Sequence, residues 1–523
     1  MRILIFHGYL LRGTGSNIYN ASLCQALVRA GHEVHLLCQD HDAGGLGFVD
    51  SVGRFHGDRL EVETIREPVR CTAYLPDIAG VLPVYVADRY EHFEAVEFSA
   101  LSDAALERYL EGNVAAVRAV AARAEPEVAL ANHLVMGPVV LARGLEGGTP
   151  YAVKVHGSAL EYTVRPEPER FLPYALEGLR GANGVLVGSR HTAESLWEVT
   201  GEPGLPERTR LGPPGVDVEA FRPRPAAEAA ERLEGLAERL EGAEAAAWGG
   251  ERGAADALRS LDPRAAPIVA FVGKLIVNKG VDLLLASWPL VLASAPGARL
   301  VIVGFGEYRD GLMRLAAALA AGDLADAREV AARGRELEGG PPGELRHLAA
   351  FLDGLEGERR DAYLSAAKGL AESVSFTGRL EHGDLPDLLP ACRALVMPST
   401  FPEAFGMVAA EAAACGVLPL SAAHSGMAEV TATLAPALDE RLRPLLSFEV
   451  GPGAVEEIAS KLSSWLALAP AERERASSAL AELARGRYGW EAVGEGVIRA
   501  ALGDLDVLPE PPPPASPSGL ASG

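Results

Sequence analysis

Two glutamates with seven residues between them stand in the apolar stretch "PEAFGMVAAEAAACG" at 402–416. Glu411 is embedded in alanines, the pattern of a helix buried on all sides. A buried carboxylate is costly unless something pairs with it, so Glu403 and Glu411 call for partners in the protein or in a ligand. The local order is an apolar strand "ALVMPS", a loop "TFPEA" and a helix beginning near Phe405. That order places Glu403 at a strand's carboxyl end, where open α/β sheets bind ligands. Glu411 lies about two turns along the helix and points toward nearly the same side. One carboxylate accepts both hydrogens of a vicinal diol, which is what a ribose or hexose offers. The free helix N–H groups at Gly406 and Met407 suit a phosphate. The bland alternative has Glu403 complementing the helix dipole and Glu411 paired with an arginine.

The elements that must position these groups are short apolar runs alternating with helical patterns. "RILIF", "HEVHLLC", "EVALAN", "YAVKVHG" and "GVLVGS" form a first series, and "PIVAFVGKL", "ARLVIVGFG", "SVSFTGRL", "RALVMPS" and "VLPLSA" a second. Strands alternating with helices predict an α/β protein with two parallel sheets in succession. A chain of 523 residues also exceeds what one hydrophobic core supports. "LGPPGVDVEAFRPRP" reads as the linker, which sets the domains at 1–212 and 213–489. Ala/Glu/Arg-rich segments near 224–265 and 316–370 fall outside the rhythm. The first carries a leucine stripe at 233, 236 and 240, and the second a "GGPPG" break suggesting a helical hairpin. Both read as insertions, and replacing the second is expected to leave binding of the sugar- and phosphate-bearing ligand at that strand end largely intact. The Pro-rich tail, 508–523, is expected to be disordered.

Two Gly-rich turns invite a dinucleotide reading. "GTGSNI" holds Gly13 and Gly15, and "GFGEYR" holds Gly304 and Gly306. Ile18 and Arg309 occupy the third-glycine positions, so each reads instead as a tight βα turn whose N–H groups can approach a phosphate.

The net charge of −23 argues against a nucleic-acid partner and against general attraction to anionic membranes. No run approaches a spanning length, because Pro289, Pro296 and Arg299 interrupt the best one. Five scattered cysteines without CxxC spacing suit a reducing compartment with no zinc site, hence a soluble, cytoplasmic protein.

Taken in order, several stretches resemble the retaining glycosyltransferases of family 4, which have the GT-B fold. "PSTFPEAFGMVAAEAAACGVLPLSA" matches the donor-domain signature, a Glu, seven residues and a second Glu. "FVGKLIVNKGVDLLL" looks like the family's diphosphate motif, and "VIVGFGEYRDGL", "VSFTGRL" and "PPGVDVEAFRP" match further landmarks. "AGHEVHLL" and "VKVHGS" fit the first half.

The resemblance implies two Rossmann-like domains facing a cleft, with an acceptor hydroxyl on the first and a nucleotide-diphosphate sugar on the second. The helix at 490–505 would pack back on the first domain. Glu411 would bind the nucleotide ribose and Glu403 a donor-sugar hydroxyl, near the amides of Phe405 and Gly406. Lys274 and Lys279 would neutralise the diphosphate, and His156 would face the reacting sugar. Gly13 and Gly15 would bring the first loop close to phosphate or acceptor. No metal is expected, and "DHD" at 40–42 and "DLD" at 504–506 read as chance matches to the metal-binding DxD. The chain departs from the family pattern in Lys274, often Arg, in Pro214, usually Asn, and in the two insertions, which offer surfaces for self-association. A GT-B nucleotide-sugar 2-epimerase and a non-catalytic nucleotide-sugar-binding scaffold are the rival readings. Additional acid/base carboxylates would mark the first, and donor binding without turnover the second.

Overall fold

Strands of about five residues, apolar at nearly every position, make up the middle of two parallel sheets, the signature of sheets covered on both faces. The structure is a computed structural model, and it describes all residues except 14, 58, 86–92, 146–147, 243–252 and 512–523. The chain divides into one unit of Met1–Gly215 with Trp490–Gly523, and a second of Val216–Gly489.

The first unit holds a nine-stranded sheet. Its order is Thr209–Leu211, Gly184–Val187, Tyr151–Val155, Val128–Asn132, Arg2–Phe6, Glu33–Leu37, Cys71–Leu75, Ser51–His56 and Arg59–Thr64. All pairings are parallel except the last, an antiparallel hairpin at the edge. Side chains alternate across the pleat. Ile3 and Ile5 join Leu23, Leu27, Val497 and Ala500 on one face, and Leu4 and Phe6 join Val117, Val139 and Leu141 on the other. The helix Trp490–Leu502 therefore belongs to the first unit, packed with Gly15–Arg29 on the same face. Order along the chain reverses between Arg2–Phe6 and Val128–Asn132, which makes the carboxyl ends of those strands a topological switch point.

The second unit holds a six-stranded parallel sheet in the order Val374–Gly378, Arg299–Val303, Ile268–Val272, Ala394–Met397, Leu418–Ala422 and Ser447–Phe448. Its reversal falls between Ile268–Val272 and Ala394–Met397. The helix Val281–Ser294, apolar all round, lies at the centre of this unit's core.

The segment 316–370 departs from the expected detachable hairpin. It folds as the end of Arg309–Ala321, then Leu324–Arg333, the short turn Arg335–Glu338, Arg346–Asp353 and Gly357–Ala367. Leu348, Phe351, Leu352 and Tyr363 are buried in one core with Leu284 and Trp288, and the Tyr363 hydroxyl donates to the Ala286 carbonyl at 2.9 Å. The leucine and aromatic positions carry these helices into the core, so the segment is part of the unit's packing and not a surface insertion. In the 224–265 segment, Leu233 and Leu236 of Ala226–Gly242 are buried, and Arg239 pairs with Asp387 at 2.6 Å; its residues 243–252 lie outside the described residues. The start of the tail is anchored, since Leu211 N–H donates to the Pro509 carbonyl at 2.7 Å; the expectation for 512–523 lies outside the described residues. Among the described residues, no helix is long and apolar enough to cross a membrane.

Candidate functional site

In the second unit, three strand ends meet at the switch point. Gly280 has a φ of 62°, and a Cβ there would lie 2.0 Å from the Pro398 carbonyl oxygen. A Cβ on Gly304 would lie 1.8 Å from the Gly273 carbonyl, and one on Gly306 2.3 Å from that of Leu275. These glycines are required by close backbone approach, which holds the loop 273–280 against both neighbours. Thr400 N–H donates to the Asn278 carbonyl at 2.9 Å and fixes the loop from its other side.

That clamp sets Lys279 beside Glu403. The Lys279 ammonium pairs with Glu403 Oε1, which also accepts from Ser399 Oγ at 2.6 Å. The Glu403 N–H donates to Ser425 Oγ at 2.9 Å, and its carbonyl accepts from Gly426 at 2.9 Å. His424 Nε2 donates to the Ser399 carbonyl at 2.9 Å, which leaves Nδ1 to accept from Ser425 Oγ at 3.1 Å. Glu403 is thus bonded through its carboxylate, amide and carbonyl, beyond any role as a helix-dipole partner. Lys274 is exposed directly after Gly273.

The following helix is Met407–Ala414, starting two residues later than expected, after a loop held by the hydrogen bonds of Glu403. Gly406 at its start offers no side-chain cap, which leaves the first N–H groups of the helix without a side-chain acceptor. Phe405 packs edge-on to Tyr488, with ring centroids 5.9 Å apart. Glu411 is buried on this helix, and its partner is His382, not an arginine, with Nε2 at 2.7 Å from Oε1. Its other oxygen, Oε2, has no hydrogen-bond partner among the described residues. Burial pulls the His382 pKa down, but the hydrogen bond and charge of Glu411, aided by Asp217, outweigh it and leave the value raised.

The first unit presents a different group at its own switch point. His7, His133 and His156 follow directly upon the adjacent strands Arg2–Phe6, Val128–Asn132 and Tyr151–Val155. His7 and His133 stack with centroids 5.8 Å apart, and His133 and His156 lie 4.9 Å apart. His7 Nδ1 accepts from Asn20 at 3.0 Å, so Nε2 carries the proton and donates to the Leu10 carbonyl and to Asn17 Oδ1. Those bonds pin the loop containing Gly13 (φ 93°) to the helix that Gly15 opens. His156 Nε2 donates to Asn132 Oδ1 at 2.8 Å, which leaves Nδ1 as an acceptor. His133 is buried at a φ of 67°, and neither ring nitrogen has a hydrogen-bond partner among the described residues. Burial holds His7 down at about 4. It drives His133 well below the ordinary value, with His7 adding to the effect, and His156 likewise, with His133, Lys154 and His7 adding. Lys154, buried with its ammonium 2.5 Å from the Gly212 carbonyl, is lowered to about 7 by burial.

The sequence reading named His156 but missed His7, His133, His382 and His424. "FHGY" and "VHGS" share a His-Gly pair just after a strand, the one signal that points to His7. Asp40 of "DHD" shapes its own loop, accepting from Leu11 and Asp42 N–H at 3.0 Å each.

Comparison with known proteins agrees with these two halves. The family described as glycosyl transferase 4-like domain matches residues 14–215. Families described as glycosyl transferases group 1 match 266–334 and 351–479. The chain is similar to D-inositol 3-phosphate glycosyltransferase of Frankia alni, 26% identical over 88% of this chain and 94% of that one. To the same-named protein of Segniliparus rotundus it is 29% identical, over 57% of this chain and about half, 48%, of that one. A GDP-mannose-dependent mannosyltransferase of Corynebacterium glutamicum is 27% identical over 44% of this chain and 45% of its own length. Among solved structures, sucrose-phosphate synthase from Thermosynechococcus elongatus aligns over 97% of this chain and 98% of its own, with a TM-score of 0.54 at 19% identity. Starch synthase IV from Arabidopsis thaliana aligns over 97% and 99%, with a TM-score of 0.55 at 13% identity. With both halves matched in order and the fold shared, the chain belongs to the family 4 glycosyltransferases of GT-B fold.

Proposed function

We propose that this protein transfers a sugar from a nucleoside-diphosphate sugar to an acceptor hydroxyl, with retention of configuration and without a metal ion. The observation that carries the reading is the Lys279–Glu403 pair at the switch point of the second sheet, next to a helix start without a side-chain cap. In this reading the ribose bonds to the unpartnered oxygen of Glu411, and a donor-sugar hydroxyl bonds to Glu403. The diphosphate takes its countercharge from Lys274, Lys279 and the N–H groups at Gly406 and Met407, in place of a metal. The C1–oxygen bond to the diphosphate breaks, and the bond from C1 to the acceptor oxygen forms on the same face. The acceptor's proton passes to the departing phosphate oxygen.

We assign the acceptor to the first unit, where His156 offers Nδ1 and His133 offers two ring nitrogens to hydroxyl groups. The names of the inositol-phosphate and mannosyl relatives support a polyol or sugar acceptor. The buried, unpaired cysteines support a cytoplasmic location. Calorimetric titration with nucleoside diphosphates, followed by assay of the matching donors on a polyol panel, tests the reading. We expect binding, transfer, and a product with the donor's anomeric configuration by NMR. An inverted product overturns retention. Activity abolished by a chelator and restored by magnesium overturns metal independence.

A further inference from the structure

A cavity of about 360 Å³ lies within Val216–Gly489, and its walls come from two sources. Val277 and Thr400 belong to the loops that hold Lys279 and Glu403, and Asp282 to the first turn of the helix Val281–Ser294 that follows Gly280. Arg335, Arg346 and His347 come from the segment that the sequence had suggested was a loose insertion. Arg346 and His347 have no ion-pair or hydrogen-bond partner among the described residues, and both reach the cavity. Arg335 Nε pairs with Glu338 Oε1 at 3.3 Å, and Glu338 Oε2 accepts from the Val277 N–H at 2.7 Å. Val277 opens the short turn that ends in Lys279. One carboxylate therefore ties the basic wall of the cavity to the loop that presents Lys279.

We infer that this cavity is an effector site for a small phosphorylated polyol, and that its occupancy is relayed through Glu338 to the loop carrying Lys279. Three basic groups suit a phosphate, which takes charge-assisted bonds from Arg and His. Glu344 also lines the cavity and repels an anion, so the phosphate belongs where Arg335, Arg346 and His347 together outweigh it. Asp282 supplies the other end of the ligand's chemistry. It is buried, and burial pushes its carboxyl up to about 7, so near neutrality it both accepts from and donates to a hydroxyl. The volume is at the small end of ligand cavities, which suits a hexose phosphate better than a nucleotide sugar. A phosphate that draws Arg335 away from Glu338 changes the grip on the Val277 N–H, and with it the placing of Lys279. The relay rests on the donor reading above, whereas the binding site does not.

Titration of the full chain with glucose 6-phosphate, inorganic phosphate and glucose tests the assignment. We expect glucose 6-phosphate to bind, inorganic phosphate to bind more weakly, and glucose to give no heat. The double variant Arg346→Ala/His347→Ala, altered only at side chains outside the core, should weaken glucose 6-phosphate about tenfold or more. Lys279→Ala should leave that affinity unchanged; loss there would show that the phosphate occupies the donor site and overturn the assignment. Absence of binding in a chain that binds nucleotide would also overturn it, as would wild-type affinity in the double variant. For the relay, glucose 6-phosphate should shift nucleoside-diphosphate affinity, and nucleotide should shift glucose 6-phosphate affinity by the same factor. Glu338→Gln should keep both ligands and abolish that shift; a shift that persists overturns the relay. A chain that binds glucose 6-phosphate and no nucleotide supports the cavity and overturns the donor reading.

Discussion

Both units gather polar side chains at the carboxyl ends of their sheets' switch points, yet the two collections are chemically opposite. In the first unit they are three imidazoles that burial keeps neutral, bordered by the Tyr9, Tyr19 and Tyr85 rings. In the second they are charged, with an ammonium on one carboxylate and a histidine with a raised pKa on another. Neutral imidazoles present lone pairs and ring faces, which suit an uncharged hydroxyl compound. Paired ions suit a ligand that arrives and leaves as an anion, because its phosphate and the carboxylate compete for the same cation. One fold thus supplies two environments, set by what each strand delivers at its end.

The largest expected effect separates the two regions by activity. His156→Ala should slow transfer about 10²–10³-fold, the usual cost of losing one positioned polar group, while nucleoside-diphosphate affinity measured by calorimetry stays at the wild-type value. An equal loss in both would merge the regions. Next come the glutamates, at about 1–3 kcal/mol for a stranded hydrogen-bond partner. Glu411→Gln should weaken the free diphosphate and the intact donor alike, and Glu403→Gln the donor alone. Parity of the two ligands in Glu403→Gln would remove its sugar contact.

Acid should pull the units in opposite directions. The histidines of the first unit have depressed values, so the unfolded chain takes up protons first. Stability is full above about 6.5 and falls toward pH 4, by on the order of 3 kcal/mol for His7 alone. In the second unit His382 and Asp282 have raised values. His382 contributes stability that is complete below about 6.5 and lost as pH rises through its folded value, and the Asp282 contribution is lost as pH rises toward about 7. Hydrogen exchange at pH 7 and pH 5 should show the first unit loosening and the second tightening. Loosening of both would break the contrast. The smallest effect is expected for His382→Gln, which should flatten that pH response locally and weaken nucleotide modestly, read by the same exchange experiment.

Much of the charged region was legible in the sequence because its groups lie on short, continuous stretches. Glu403 and Glu411 share one strand–loop–helix unit, and Lys274 and Lys279 one turn. The Lys279–Glu403 contact was not legible, because it depends on Gly280 pressing against Pro398 across two strands. His382 reaches Glu411 from a separate strand end, which no local spacing records. The neutral region was harder still. His7 and His133 meet only because the sheet pairs Arg2–Phe6 with Val128–Asn132, a non-local choice. The two parallel sheets followed from the alternation of runs, whereas alanine content misled the reading of 316–370. Alanine permits both a solvated helix and a tightly buried one, and burial of Leu348, Phe351 and Tyr363 decides between them.

The return of Trp490–Leu502 onto the first unit bears on how the molecule is made. The Asn183 side-chain amide, just before the strand Gly184–Val187, donates to the Ala501 carbonyl of this helix at 2.9 Å, and Val497, Ala500 and Ala501 are buried against the face that carries Ile3 and Ile5. During synthesis Met1–Gly215 must wait for Trp490–Leu502 before that face is complete, while Val216–Gly489 is one uninterrupted stretch that can complete its core earlier. The half that begins first is finished last. A released chain that ends at Gly489 should therefore leave Val216–Gly489 resistant to protease and Met1–Gly215 open to cleavage, which limited proteolysis would reveal.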